Sequence, residues 1–272
     1  MILLSIISYY LFRLFKALSR RVSYFQNLFR LLRFFTSHPK QKSMELFENA
    51  LEDYDSHTMK SKFIYYSHCV QKDYNGIISE SDLGIYFRTW DKLDPLERKL
   101  INLSCGNILD IGSCTGYYIP YLMDKGTVTG IEISPKINNL ARKHGLSNCI
   151  TGDIFKYKFN IKFDTITLIG NDIALSGTLY RLKKLLKKLR ELLSKDGQVL
   201  LIIRHVRTLK YWHVVYTPHY NGQIGIPFKL LFLNARFLLK NSSKYGFQSS
   251  IEGTYRLRGG PFYLLRLVKT ST

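Results

Sequence analysis

The feature that most constrains the fold is an alternation of short apolar runs and amphipathic runs between residues 107 and 203. Each apolar run is short and ends near a glycine or a polar residue, which predicts a buried strand. The longer runs between them carry apolar residues at helical spacing and predict helices. Strands that alternate with helices form a parallel sheet covered on both faces. We therefore expect an α/β fold here.

The boundaries of these elements follow from the same pattern. The predicted strands are 107–111, 128–133, a short strand ending near 150, 163–170 and 198–203, and the predicted helices run to about 123, over 135–144 and over 178–193. Two later β-rich runs, 251–257 and 262–269, are separated by two glycines and a proline, which predicts a hairpin. The sheet is expected to hold five parallel strands and to finish with an antiparallel pair.

Residues 1–43 differ in composition from the rest of the chain. The first 12 residues carry no charge, and basic residues follow with no acid before Glu45. A bilayer-spanning helix needs about 20 apolar residues, so the run is too short for one. The order also differs from that of a secretory signal, in which basic residues come first. The pattern favours a basic amphipathic helix on an anionic membrane surface. A helix packed on the domain and an organelle-targeting peptide are the alternatives.

The rest of the chain divides into two predicted parts. Residues 44–100 contain helical stretches and are expected to form a helical cap. One helix start is marked by Asp94, a good N-cap residue, with Pro95 at the first helical position. Residues 101–272 are expected to form the α/β domain itself.

The net charge of +20 is large for 272 residues. Such a charge favours an anionic partner: nucleic acid, an acidic membrane surface or a phosphorylated substrate. A solvated basic surface explains it equally well, so charge alone does not choose among these partners. The four cysteines contain no Cys-x-x-Cys pair, which argues against a disulfide framework and a zinc site. A reducing, cytoplasmic location without a metal is the simpler interpretation.

Asn107–Gly116 (NILDIGSCTG) is the segment with the clearest chemical signature. A strand, a glycine-bearing turn and a helix start allow close approach of the backbone to a ligand. Glu132 closes the next strand, 22 residues after Asp110, and its two carboxylate oxygens can accept both hydroxyls of a ribose. Asp153 follows the third strand and suits an adenine amino group. This set predicts a nucleoside-containing cofactor.

NAD is the alternative cofactor for such a domain. The NAD pattern requires three glycines as G-x-G-x-x-G. Here Gly112 and Gly116 are four residues apart and Cys114 lies between them.

Residues 107–203 resemble the class I S-adenosylmethionine-dependent methyltransferases. NILDIGSCTGYY resembles the first motif of that superfamily, VTGIEIS the second and TGDIF the third, and FDTITLIGNDIAL with LRELLSKDGQVLL resembles the fourth strand, the next helix and the fifth strand. The resemblance implies an enzyme with a Rossmann-like methyltransferase fold. That fold has a mostly parallel seven-stranded sheet with a C-terminal antiparallel hairpin, here with N-terminal helices added. The implied cofactor is S-adenosyl-L-methionine.

The resemblance also implies roles for individual residues. Glu132 would bind the ribose hydroxyls, Asp153 and the Ile154 amide would bind the adenine, and Asn171 would lie beside the methionine part of the cofactor. The implied cofactor-binding set is Asp110, Gly112, Ser113, Cys114, Gly116, Glu132, Ile133, Asp153, Ile154, Gly170 and Asn171. One departure concerns Cys114, which replaces the middle glycine of the superfamily's D-x-G-x-G-x-G. Its Cβ would crowd the cofactor if that position needs a positive φ.

A narrower resemblance involves four short pieces: 82–87, 96–98, 170–172 and 220–223. They are similar to a bacterial and archaeal group of methyltransferase domains with no assigned acceptor. The resemblance supports 77–272 as one functional unit.

The acceptor and any catalytic base are left open by the sequence. Methyl transfer to a good nucleophile depends mainly on alignment, so a dedicated base is optional. The segment after the fifth strand would cover the acceptor site. The acceptor-site candidates are Tyr86, Asn171, His205 and Tyr220. We expect a small-molecule or lipid-like, membrane-associated acceptor. One alternative is that the acceptor is RNA. The other is that the protein binds the cofactor without catalysis.

Overall fold

The computed structural model describes residues 44–69, 77–257 and 260–270. The predicted membrane-surface helix within 1–43 lies outside these residues. None of the helices in the described ranges is both long and apolar enough to cross a bilayer.

Twelve strands and six α-helices are found in the described ranges. The strands are β1 (Ile64–Cys69), β2 (Ile77–Glu80), β3 (Gly106–Ile111), β4 (Gly126–Glu132), β5 (Cys149–Thr151), β6 (Phe163–Leu168), β7 (Leu193–Arg204), β8 (Tyr211–Tyr220), β9 (Gln223–Ile224), β10 (Phe228–Leu233), β11 (Phe247–Leu257) and β12 (Gly260–Lys269). The helices are α1 (Glu45–Asp55), α2 (Pro95–Leu103), α3 (Ile119–Met123), α4 (Pro135–Lys143), α5 (Leu179–Leu192) and α6 (Ala235–Ser243). Short 3₁₀ turns cover Leu83–Phe87, Trp90–Lys92 and Asp172–Ser176.

The main sheet has seven strands in the order β11-β12-β7-β6-β3-β4-β5. Pairing is parallel from β5 through β7 and antiparallel where β12 joins β7 and where β11 joins β12. The predicted Rossmann-like sheet, with five parallel strands and a C-terminal antiparallel hairpin, is therefore confirmed.

Both faces of this sheet are covered, which explains its continuous apolar strands. Along β7, Val199, Leu201 and Ile203 pack into the core shared with α5 and α6. Leu200 and Ile202 point to the opposite face and pack into the core shared with α2 and α3. Side chains that alternate between faces require a strand that is apolar at every position.

A second, antiparallel sheet was not predicted from the sequence. Its strands are ordered β10-β8-β1-β2, with β9 beside β8. β1 and β2 lie within 44–100, where only helices were expected, so that part of the helical-cap prediction is wrong. β1 pairs with β8 in the register Tyr65↔Pro218 and Cys69↔Val214. The aromatic residues of β1 become a strand because this distant partner supplies its hydrogen bonds, and local spacing does not reveal such a partner.

α1 lies along α4. Glu48 accepts a hydrogen bond from the Ser134 hydroxyl at 2.7 Å, and Lys136 forms an ion pair with Glu52 at 2.7 Å. Leu46 and other apolar residues of α1 pack with α4 and β1 into a third core. α1 is thus attached next to the end of β4, where Glu132 lies.

Glu97 joins three elements at the base of α2. One of its carboxylate oxygens accepts the Asp94 amide at 2.8 Å, which completes the predicted cap of this helix. The other oxygen accepts the Tyr118 hydroxyl at 2.5 Å and pairs with the Arg88 guanidinium. The side chains of Arg88 and Glu97 are only 20% and 5% exposed.

Replacing Glu97 with Ala should lower the free energy of unfolding by about 3–5 kcal/mol, because Arg88 would remain largely buried without its partner. Denaturant unfolding of the full chain measures this. The control is Glu80→Ala, which removes an ion pair with Lys62 whose side chains are 74% and 53% exposed. Exposed pairs contribute at most about 1 kcal/mol. Equal losses for the two variants would contradict the assignment of Glu97.

Candidate active site

The carboxyl ends of β5, β4, β3 and β6 lie side by side at one edge of the main sheet. This arrangement brings four features to the same edge, as expected for a doubly wound sheet. They are Asp153, Glu132, Asn171 and the turn that begins at Asp110. The turn 110–116, called the glycine turn below, is fixed by hydrogen bonds from the amides of Gly112 and Ser113 to the Ile131 carbonyl at 2.9 and 3.3 Å.

The glycine turn has several residues with positive φ. Gly112 and Gly116 both have φ of 78°, which glycine adopts freely. A Cβ on Gly112 would lie 3.3 Å from the Asp172 carboxyl carbon. The Ser113 side chain, in contrast, is buried against Gly130 of β4. The turn therefore presents its backbone, together with Asp172, to the edge of the sheet.

Cys114 has a φ of 50°, so the middle position of the motif does need the left-handed conformation that favours glycine. Its side chain packs with Tyr65 and Tyr86 on the third core. Burial raises the pKa of the Cys114 thiol well above its ordinary value. The thiol therefore stays neutral, and the side chain packs with the cap residues.

Three carboxyl groups lie close together at this edge. Burial, with the charge of Glu132, raises the pKa of Asp110 to about 6, although the Thr167 hydroxyl donates to it at 2.7 Å. Burial, with the charges of Asp110 and Glu132, raises the pKa of Asp172 well above its usual range. Burial also raises the pKa of Glu132. None of the three forms an ion pair with another described residue.

Glu132 is held by the backbone. Its two oxygens accept the amides of Cys114 at 3.2 Å and Ser134 at 2.9 Å. A carboxylate has about four acceptor positions, so about two remain for hydroxyl donors. Ile133, the next residue, is 54% exposed, which is unusual for isoleucine beside a buried acid. It offers an apolar surface next to Glu132.

Asp153 and Ile154 follow β5, beside the end of β4. The Asp153 carboxylate accepts the Phe155 amide at 2.9 Å, which fixes the local turn. Ile154 is half-buried against the main core. Both residues are at the sheet edge, where an adenine-binding role would place them.

Gly170 and Asn171 follow the fourth parallel strand, β6, which ends at Leu168. Their φ values are 77° and 72°, so the backbone turns sharply here. The Asn171 side-chain oxygen accepts the Arg204 amide at 3.0 Å, which ties this turn to the end of β7.

Half-buried tyrosines lie near the glycine turn. Tyr86 lies within electrostatic range of Tyr65, Cys114 and Asp172, and Tyr65 within range of Tyr216. Tyr65 and Tyr86 keep part of their surface uncovered, yet burial strongly raises the pKa of both hydroxyls. This group of half-buried tyrosines (Tyr65, Tyr86 and Tyr216) is called the tyrosine chamber below.

Two predicted acceptor-site candidates have other contacts. His205 accepts the Ala235 amide through Nδ1 at 3.1 Å and stacks on Tyr263 at 4.3 Å between ring centroids. Tyr220 donates its hydroxyl to Asp53 at 2.8 Å and so fastens β8 to α1. The contacts of both residues are structural, whereas Tyr86 and Asn171 lie by the glycine turn.

Two residues of the site were missed by sequence reasoning. Asp172 directly follows Gly170 and Asn171, so its place in that motif could have indicated it. Tyr65 is on β1, whose position depends on pairing with β8, and no local signal indicated it. No group of three or more His, Cys, Asp or Glu side chains within the described ranges is arranged to hold a metal ion.

Cys114→Gly should be more stable than Cys114→Ala by up to about 1 kcal/mol, because both remove the thiol but only glycine adopts a positive φ without strain. Thermal or denaturant unfolding of the two variants measures the difference. An alanine variant as stable as the glycine variant would show that this backbone conformation is not strained.

Comparison with known proteins agrees with this geometry. Residues 108–197 match the model of a family described as a methyltransferase domain. No curated protein matches the sequence.

Several solved structures share the fold. A SAM-dependent methyltransferase from Bacteroides fragilis, solved with S-adenosyl-L-homocysteine, has a TM-score of 0.71 at 21% identity, covering 85% of this chain and 97% of that one. The DhpI–SAH complex has a TM-score of 0.52 at 17% identity, covering 65% and 83%. The glycopeptide N-methyltransferase MtfA, solved with S-adenosyl-L-methionine, has a TM-score of 0.50 at 15% identity, covering 64% and 86%. At these identities the likeness is one of fold. Residues 108–197 thus match a methyltransferase domain, and the chain shares its fold with solved S-adenosylmethionine-dependent methyltransferases.

Proposed function

We propose that this protein transfers a methyl group from S-adenosylmethionine to a small-molecule acceptor held in the tyrosine chamber. The observation that carries the proposal is the group of buried carboxyls, Asp110, Glu132 and Asp172, beside the glycine turn without a cationic partner among the described residues. Buried carboxylates without a partner are costly, and such groups are concentrated at functional sites. In a chain of net charge +20, they select a ligand that brings its own positive charge.

S-adenosylmethionine fits this set of residues. It carries an ammonium group and a positively charged sulfur, which makes its methyl group electrophilic. Asp110 and Asp172 would offer negative charge to these cationic groups. Glu132, with acceptor positions left over from its two amide hydrogen bonds, would bind the ribose hydroxyls. Asp153, the Ile154 amide and the exposed Ile133 would hold the adenine. The left-handed backbone of the turn would allow the ligand to approach closely.

The acceptor side has groups that can position a nucleophile and take its proton. The hydroxyls of Tyr65 and Tyr86 are neutral and can donate or accept hydrogen bonds. Asp172 faces both Gly112 and Tyr86, and its raised pKa brings its proton affinity closer to that needed by a general base. The second sheet and α1 would cover a bound acceptor and exclude water.

Half-buried aromatic side chains with free hydroxyls suit a small acceptor. The proposal of a membrane-associated or lipid-like acceptor rests on residues 1–43, outside the described part of the chain, and stays a prediction. The expected cytoplasmic location and the RNA alternative also stay predictions.

Calorimetry with S-adenosylmethionine tests the cofactor site. Glu132→Ala should weaken binding by about ten-fold or more, because it removes the acceptor for the ribose hydroxyls. Glu191→Ala, at an exposed position of α5, is the matched control and should bind like the wild type. No heat of binding at millimolar cofactor, or equal affinity for the Glu132 and Glu191 variants, would refute the proposal.

The stability of the ligand-free protein should depend on Asp110 and pH. Its pKa in the folded protein is raised to about 6, so the folded state binds the proton more tightly than the unfolded state. The stability gained from this tighter proton binding is fully present below about pH 4 and is lost as the pH rises through 6. It amounts to about 3 kcal/mol. Asp110→Asn should therefore be increasingly more stable than the wild type from pH 4 to 7, and should bind S-adenosylmethionine more weakly. Parallel stability curves for the two proteins over this range would contradict the pKa shift.

A further inference from the structure

We propose that the acceptor carries an anionic group, a carboxylate or a phosphate, which Arg204 binds on the Tyr216 side of the tyrosine chamber. This inference rests on the proposed function, because it names the class of acceptor for the same site. It concerns a residue that no sequence motif indicated.

Arg204 lies beside Asn171. It is the last residue of β7, and its amide donates to the Asn171 side chain at 3.0 Å. Asn171 in turn precedes Asp172, which faces the glycine turn. The backbone of Arg204 is thus one hydrogen bond away from the segment that carries Asp172.

The Arg204 side chain is half-buried and has no acidic partner among the described residues. Its guanidinium carbon lies 5.6 Å from the centroid of the Phe232 ring. No described carboxylate lies within ion-pair distance of it, whereas Arg88, the other half-buried arginine near the cap, is paired with Glu97. A guanidinium stacked on an aromatic ring keeps its edge of N–H donors available, in a geometry that matches a carboxylate or phosphate.

The charge of Arg204 acts on the tyrosine chamber. Phe232, which the guanidinium overlies, has its ring 6.4 Å from that of Tyr216 between centroids. Burial raises the pKa of the Tyr216 hydroxyl, and the positive charge of Arg204 opposes that rise. The ring of Tyr216 packs against Tyr65 at 5.4 Å between centroids, and Tyr65 lies within electrostatic range of Cys114. A series of neighbouring side chains therefore leads from Arg204 through Tyr216 and Tyr65 to Cys114 in the glycine turn.

The three hydroxyls of the chamber are available to a ligand. Within the described ranges, those of Tyr65, Tyr86 and Tyr216 form no hydrogen bond with the protein, and each ring has uncovered surface. Aromatic walls with a few polar groups are typical of sites for small molecules. Phe228, stacked on Tyr216 at 5.9 Å, extends the apolar wall.

The distribution of charge sets the orientation of the acceptor. The Arg204 cation lies on the Tyr216 side of the chamber, and the Asp172 carboxyl group lies on the Tyr86 side. A neutral acceptor would leave the half-buried guanidinium without a partner, and a cationic one would be repelled by it. An acceptor with an apolar or aromatic body, an anionic group towards Arg204 and its nucleophile towards Asp172 satisfies both ends.

The test uses the full-length protein saturated with S-adenosylhomocysteine and three aromatic probes of matched shape: 4-hydroxybenzoate, 4-hydroxyphenyl phosphate and the neutral 4-hydroxybenzamide. Calorimetry should show about ten-fold or tighter binding of at least one anionic probe than of the amide. The affinities of the carboxylate probe and the phosphate probe, compared with each other, show which of the two anionic groups the site prefers. Arg204→Gln should remove this preference, and Arg204→Lys should retain part of it. Arg256→Gln, at an exposed position of β11, is the matched control and should behave like the wild type.

The inference would be overturned if the wild type bound the two anionic probes and the neutral amide with equal affinity. It would also be overturned if none of the three probes bound detectably at millimolar concentration. An unchanged preference in Arg204→Gln would overturn it as well. Binding of S-adenosylhomocysteine, measured first on each protein, reports separately on folding and on the cofactor site. If the wild type did not bind it, the proposed function itself would fail. If only Arg204→Gln failed to fold, the comparison of acids with amide in the wild type and the lysine variant would still decide.

Discussion

The parallel pairing of β3 with β4 on one side and β6 on the other is the constraint on which the rest of the site depends. Parallel strands end at the same edge, so this pairing alone brings Glu132, the glycine turn and Asp172 together although they are distant in sequence. The backbone then fixes each group. Amides hold Glu132, the Ile131 carbonyl holds the turn, and a positive φ at Asn171 redirects the chain towards Arg204.

The site is also where the molecule departs from what stability alone would favour. Burial raises the pKa values of three carboxyl groups there, and the charge of Glu132 raises those of Asp110 and Asp172 further. Cys114 holds a backbone conformation better suited to glycine. Elsewhere in the core a buried charge is matched, as Glu97 is by Arg88. Unmatched charge confined to one edge of the sheet is what a site for a cationic ligand requires.

Sequence reasoning recovered what depends on local pattern. The strands and helices of 107–203 and the cap at Asp94 follow from periodicity and turn chemistry, and the structure has them within a few residues. The second sheet could not be recovered, because Tyr65 and its neighbours become a strand only through pairing with Pro218 and the rest of β8. His205 and Tyr220 were reasonable candidates by position, yet their hydrogen bonds with Ala235 and Asp53 depend on tertiary contacts that spacing does not encode.

The two halves of the site come from different parts of the chain. The carboxyl groups and the glycine turn all lie within 108–197, whereas the chamber and its cation come from β1, the 3₁₀ turn at Leu83–Phe87, and the segment from Arg204 to Leu233. With the function proposed above, substitutions in these outer segments would alter which molecule is methylated and leave the donor-binding half intact. A protein divided in this way can acquire new acceptors during evolution without rebuilding the part that makes it an enzyme.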